Sequence, residues 1–201
     1  MFLDIFVVEI AFMKLSTVFT RLTPNENKWQ KPSGRGGKCR AADSTKPLYE
    51  EVNHFGWEEW LFEDYHAGKE ICLGFLQAFN DKNKHITSVD IIHLYTRICN
   101  GNEPRQFYVG YIKDVKVLPQ NQRAVTTQQK EQKQKDLKDA KIANFPDNDP
   151  MWKKCFNIQF ERKNVELLKN DERFEIQLNR GQFRFSLYDI NIHPNFLIQI
   201  Q

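Results

Sequence analysis

The feature that most restricts how this chain can fold is a hydrophobic period of two, returning several times and interrupted by one stretch with helical signals. "QFYVGYIKDVKVL" (106–118) puts Phe107, Val109, Tyr111, Val115 and Val117 on one side, the pattern of a strand with one buried face. "CFNIQFE" (155–161) alternates again and turns Phe156, Ile158 and Phe160 inward. "STVFTRLT" (16–23) follows the same rule, while "KEICLGFLQAFN" (69–80) and "VDIIHLYTRI" (89–98) are apolar on both faces, as a central strand is. "RFEIQL" and "FRFSLYDI", separated by the turn "NRG", close the series. Only "TTQQKEQKQKDLKDAKI" reads as a helix, opened by a capping box of Thr126 and Gln129. Its apolar residues are Leu137, Ala140 and Ile142, so it is expected on the surface. Strands around a single helix predict an α+β, β-rich fold: a curved mixed sheet or small β-barrel with one or a few flanking helices. They give no βαβ alternation. "GRGGK" lacks the Walker A spacing and is followed by Cys39, so a nucleotide-binding α/β fold is not expected.

At 201 residues and 40% hydrophobic, the chain can bury one substantial core. Its 16 Phe, 6 Tyr and 4 Trp suit pleated surfaces. We divide it into an apolar extension at 1–12, readable as an extra strand, and a single domain at 13–201, where Met13 is a second candidate start. The extension has no basic n-region, carries Asp4 and Glu9, and is far below the ~20 residues that span a bilayer, so no membrane partner is expected. Cys39, Cys72, Cys99 and Cys155 are scattered at spacings that match no zinc template. They read as reduced thiols of a cytoplasmic protein, with no metal and no cofactor.

Charge falls in blocks beneath a net +3. Arg21 to Lys46 holds seven basic residues, and Pro47 to Glu70 holds seven acidic ones. The acidic block contains "HFGWEEWLFED" (54–64), where Trp57, Trp60 and Phe62 sit among four carboxylates. Such a stretch is either an amphipathic core edge or an aromatic receptor. Phe62 and Leu61 fit core packing, and Trp57 and Trp60 fit either role. Trp29 lies in a basic loop without apolar neighbours, which fits a pocket wall.

"NENKWQKPSGRGGK" (25–38), "HFGWEEWLF" (54–62), "GFLQAFN" (74–80) and "LYTR…RQFYVGYIKDVKVL" (94–118) together resemble a prokaryotic PUA-like domain. More narrowly, they are similar to the EVE-type domains of modification-dependent restriction systems, which group with YTH and SRA readers. The likeness covers most of 15–120. It departs at Gly56-Trp57, where the family more usually has Gly-His. The resemblance implies a module that flips a modified, for example methylated, base of double-stranded DNA into an aromatic pocket. Cleavage would come from a partner nuclease or an ATPase/GTPase subunit. Stacking is worth about 1–3 kcal/mol per base, enough for two aromatic faces to offset an extrusion cost of a few kcal/mol. The expected base-binding residues are Asn27, Trp29, Ser33, Trp57, Glu58, Trp60, Gln77 and Tyr95. Lys28, Lys31, Gly34, Arg35, Lys38 and Arg40 are the expected phosphate contacts. Glu58 and Glu59 would pair with loop cations or accept from an exocyclic amine.

Two alternatives use different chemistry. Asp147 with Glu161 and Lys163 can be written as the Pro-Asp…Glu-x-Lys skeleton of a metal-dependent nuclease, which needs these groups on adjacent strands. RNA or a free nucleobase could also bind the same fold. His54, His66, His85, His93 and His193 are isolated, and His93 in an apolar strand reads as a core residue.

Overall fold

The computed structural model describes residues 13–34, 52–80, 85–100, 103–142, 145–176 and 188–189. Seven strands form one mixed sheet: β1 (Met13–Leu22), β2 (Ile71–Gly74), β3 (Ile86–Asn100), β4 (Glu103–Val117), β5 (Ile158–Glu161), β6 (Val165–Leu167) and β7 (Tyr188–Asp189). Their order is β2-β5-β4-β3-β1-β7, with β6 also paired to β4. The β3–β4 antiparallel pair is the spine, running from Ser88↔Lys116 to Asn100↔Glu103. β1 lies parallel to β3 along almost its whole length. Helices α1 (Glu63–His66) and α2 (Thr127–Asp139) accompany the sheet. The fold is thus α+β and strand-rich, as expected. The 1–12 extension and all of "FRFSLYDI" but Tyr188–Asp189 lie outside the described residues. Among the described residues no helix is long and apolar enough to cross a membrane.

The sheet is open, which corrects the barrel alternative. Among the described residues no pairing joins the terminal strands β2 and β7. The outer edge of β4 is divided between β5, at Lys116–Val117, and β6, at Gly110–Ile112. β2 is only four residues long, and the Leu73 N–H donates to Asp64 Oδ2 at 3.0 Å where a further strand would have paired. The other oxygen of Asp64 holds Lys69 Nζ at 2.6 Å.

The expected strand at 69–80 is cut short after Gly74. The buried Asn157 side chain accepts from the Leu76 N–H at 2.9 Å and donates to the Leu76 carbonyl at 2.8 Å. It replaces a strand neighbour, and Gln77–Phe79 then turns as a 3-10 helix. β4 also departs from simple alternation. Asp114 takes φ 51° and the register shifts between Leu94 and Tyr95, so Val109 and Ile112 face the core with Val115 and Val117 while Tyr111 is half-exposed. Gly110, at φ 144°, lies where a Cβ would come 2.1 Å from the Glu166 carbonyl oxygen, so β6 can approach only a glycine.

Three apolar clusters result. The largest is the sheet core, including Val18, Leu22, Trp29, Leu61, Phe62, Ile92, Leu94, Ile112, Ile158 and Phe160. Alternation sends Phe19, Tyr95 and Tyr108 to the opposite face, where Ile176 joins them. A third cluster gathers Phe55, Trp57, Trp60, Phe75, Leu118, Leu137, Ile142, Trp152, Cys155 and Phe156. None of its members lies in a strand. α2 closes this cluster, held at its start by the expected capping box: the Gln129 N–H donates to Thr126 Oγ1 and the Thr126 N–H to Gln129 Oε1. α2 is less superficial than its apolar content suggested, for it buries Lys133 and Asp136 beside Leu137.

Candidate functional site

The loop Asn25–Gly34 and the turn Trp57–Trp60 fold onto one another through a single carboxylate. Glu59 is fully buried. Its Oε2 accepts from Asn25 Nδ2 at 2.6 Å, the Ser33 N–H at 2.9 Å and Ser33 Oγ at 3.2 Å, and its Oε1 accepts from the Gly56 N–H at 2.9 Å. Four neutral donors are thus spread over both oxygens, the arrangement that makes a buried carboxylate tolerable. Glu58 accepts from Thr23 Oγ1 at 3.2 Å. Asn27 Nδ2 closes the loop on the Pro32 carbonyl at 2.9 Å, and Asn25 Oδ1 accepts from the Trp29 N–H. Lys28 and Trp29 both take left-handed backbone, at φ 54° and 55°, which makes the tight reversal. Lys28 and Lys31 are exposed on the outside of this loop.

The three tryptophans expected to wall a pocket do not share one. Trp29 is 1% exposed and belongs to the sheet core. Its Nε1–H donates to the Thr23 carbonyl at 2.8 Å, and the Arg173 guanidinium lies 5.1 Å from its ring centroid. Trp57 and Trp60, 5% and 3% exposed, lie in the third cluster, ringed by Phe55, Phe145 and Trp152. Lys133 covers the Trp60 ring. Lys133 Nζ sits 4.6 Å from its ring and 5.6 Å from that of Phe156, paired at 2.5 Å with Glu63. Trp60 Nε1–H donates to Asp136 Oδ2 at 2.9 Å. Tyr95 packs on the opposite sheet face, and Gln77 is exposed on its 3-10 turn. So the structure sets Asn27 and Ser33 in one loop, joined to the turn through Glu59, with Glu58 bonded to Thr23, and leaves Trp29 and Tyr95 in clusters other than that of the Trp57–Trp60 pair.

Gly34 is buried, and a Cβ there would meet the Ala140 carbonyl oxygen at 2.7 Å. A glycine there lets the loop end pack against the residue that follows α2. Arg35, Lys38 and Arg40 lie outside the described residues. The nuclease residues have separate partners: Asp147 receives Gln134 from α2, and Glu161 is paired with Lys163 at 2.6 Å on the exposed end of β5. Among the described residues no three His, Cys, Asp or Glu side chains are grouped to hold a metal ion.

Sequence reasoning missed Lys133 and Asp136. The signal was available, since Lys133 falls one helical turn before Leu137 and so shares its face. It also missed His66, Tyr65 and Arg162. Arg162 lies 5.5 Å from the Tyr65 ring centroid, and the Tyr65 and His66 rings meet edge to face at 5.1 Å. His66 is exposed, yet partial desolvation lowers its pKa from the ordinary value; the nearby Lys28 backbone works against this, while the charges of Lys28 and Arg162 add to it. Cys72 and Cys155 are buried thiols whose pKa values burial pushes up to about 11 and about 12. Neither has the reactivity of a nucleophile.

Comparison with family models, curated proteins and solved structures finds no match to this chain.

Proposed function

We propose that this protein is a nucleic-acid recognition module that reads a modified base in duplex DNA, with strand cleavage left to a partner. The observation that carries the reading is the Glu59 clamp. It fixes a loop whose buried side is neutral hydrogen bonds and whose outer side presents Lys28 and Lys31. Pre-ordering the backbone lowers the cost of binding, and the exposed cations supply sequence-independent attraction to phosphates. The resemblance of 25–38 and 54–62 to modified-base readers supports the choice of ligand. In this reading Trp29, Trp57 and Trp60 are the scaffold under the recognition surface, and base selectivity resides in loop groups such as Asn27 and Ser33.

The test is fluorescence anisotropy with matched duplexes, methylated and unmethylated, across a salt series. Binding should favour the modified duplex. Replacing Lys28 and Lys31 by Ala should weaken binding to both duplexes alike, lowering the log–log salt slope by about 0.9 per lost phosphate contact. Absence of binding to any duplex at low salt would remove the proposal. Magnesium-dependent cutting abolished by Asp147→Ala and by Lys163→Ala would replace it with the nuclease.

A further inference from the structure

The acidic block of the sequence suggests an anionic surface around 47–70, yet the structure turns Glu58 and Glu59 inward and pairs Glu63 and Asp64, leaving Glu70 exposed. Glu58 and Glu59 are buried on neutral donors. Glu63 is matched to Lys133, and Asp64 to Lys69 and the Leu73 N–H. Next in space, Glu161 is matched to Lys163. Glu70 contributes its carbonyl to the Arg162 N–H, and its carboxylate acts electrostatically on Lys163. Lys28 and Arg162 are in none of these pairs. Three elements, the 25–34 loop, α1 and the turn after β5, bring Lys28, His66 and Arg162 together, and among the described residues neither Lys28 nor Arg162 is in an ion pair.

Their geometry is specific. The Phe62 N–H donates to the Trp29 carbonyl at 2.9 Å, which ties the start of α1 to the loop beside Lys28, and the Lys28 backbone and charge both act on His66. Tyr65, half-buried against the sheet core, supports the Arg162 guanidinium on its ring and meets His66 by its edge. An Arg resting against an aromatic face can still turn its N–H fork toward a tetrahedral anion. The charges that reach His66 are those of Lys28, from the loop, and Arg162, from the turn after β5; both are positive. Both charges add to desolvation in disfavouring the protonated imidazole, and a bound anion would oppose them.

We propose that Lys28, His66 and Arg162, with Tyr65 as the support of Arg162, form a binding subsite for a nucleic-acid phosphodiester that takes up a proton at His66 as it binds. The inference rests on the nucleic-acid reading above and extends it from the loop to α1 and the turn after β5. Arg162 and Lys28 hold the phosphate oxygens. The bound negative charge then offsets the two cations and raises the His66 pKa. Tyr65 is a positioning residue.

The experiment pairs anisotropy on duplex DNA with NMR titration of the His66 ring across pH, free and bound. Arg162→Ala should weaken binding about tenfold, the loss typical of one charge-assisted contact, and Arg162→Lys should restore part of it. Tyr65→Leu should weaken binding less. The His66 pKa should rise on DNA addition in the wild-type protein and stay unmoved in the Arg162→Ala protein, a difference that a purely structural His66 would not produce. DNA binding unaffected by Arg162→Ala, with a static His66 pKa, would overturn the subsite and leave the nucleic-acid reading standing. If no DNA binds at all, that reading falls, and inorganic phosphate titrated against the His66 resonance decides the anion subsite alone: a raised pKa supports it and an unchanged one overturns it.

Discussion

The sheet core around Trp29 and the aromatic cluster around Trp57 and Trp60 are built by different means. The sheet core is assembled by backbone pairing, with β1, β3, β4 and β5 each contributing side chains from one face. The aromatic cluster has no strand in it. It is held by ring contacts and by side-chain hydrogen bonds, one between distant segments, Trp60 to Asp136, and one local, Trp152 Nε1–H to the Pro146 carbonyl at 3.0 Å. A sheet core tolerates exchange of one apolar residue for another of similar volume. A cluster of tryptophans with polar ends does not, because each indole N–H must keep its acceptor.

The sharpest way to break the comparison is to truncate one ring in each region. Trp57→Ala should cost about 3–5 kcal/mol of stability by urea unfolding, since the ring is buried among four other aromatic groups. Trp29→Ala should fall in the same range. If Trp57→Ala unfolds at wild-type urea but binds DNA more weakly, the cluster is a ligand site and our reading of it as scaffold is wrong.

A second probe uses the sheet's opposite face. His93 is buried against Phe19, with Nδ1 2.7 Å from the Tyr108 hydroxyl, and burial lowers its pKa to about 4. The unfolded chain binds a proton near the ordinary histidine pKa of about 6.5, while the folded chain does not until near 4. Stability should therefore fall as pH drops through this window, by about 3 kcal/mol in total, and level off below it. Urea midpoints from pH 7 to pH 4 would measure it. In His93→Gln protein this part of the slope should vanish, whereas Trp57→Ala should keep it.

Glu59→Gln tests what links the two regions. One of the carboxylate oxygens becomes a donor facing donors, so the loss should be about 1–3 kcal/mol. Proteolysis should then cut first within the 25–34 loop. Cutting elsewhere first would show that the loop does not depend on the clamp. The smallest effect is expected from Thr126→Ala, about 1 kcal/mol for loss of the helix cap. It should loosen the aromatic cluster through α2, visible as faster hydrogen exchange at the Trp60 indole, with β3 and β4 unchanged.

The two regions also differ in how far they could be read from sequence. Period-two patterning located β4 and β5 and put Ile158 and Phe160 in the core, because a strand's side chains face where the backbone dictates. It failed at Tyr111 and Ile112, since a bulge and a positive-φ aspartate shift the phase without any change in composition. The capping box gave the start of α2, but not that Lys133 points inward. Charge misled most in the acidic block. Glu59 and Asp64 look like solvated carboxylates until the fold supplies Asn25, Ser33 and Leu73 as their donors. These partners are remote in the chain or arise from backbone geometry, and no local pattern encodes them. The Trp29 loop was legible as a special segment, and its burial was not, because the side chains that cover it come from elsewhere.

Asp64 carries one more consequence. β2 ends the sheet with Ile71 48% exposed beside an outward-facing backbone, the profile of a surface on which another chain can add a strand and begin to aggregate. The carboxylate on the Leu73 N–H occupies one of the bonds such a visitor would need, and with Lys69 it sets charges beside the apolar side chain. The side chain that caps the open edge of the sheet thus also makes that edge a poorer template for a second chain.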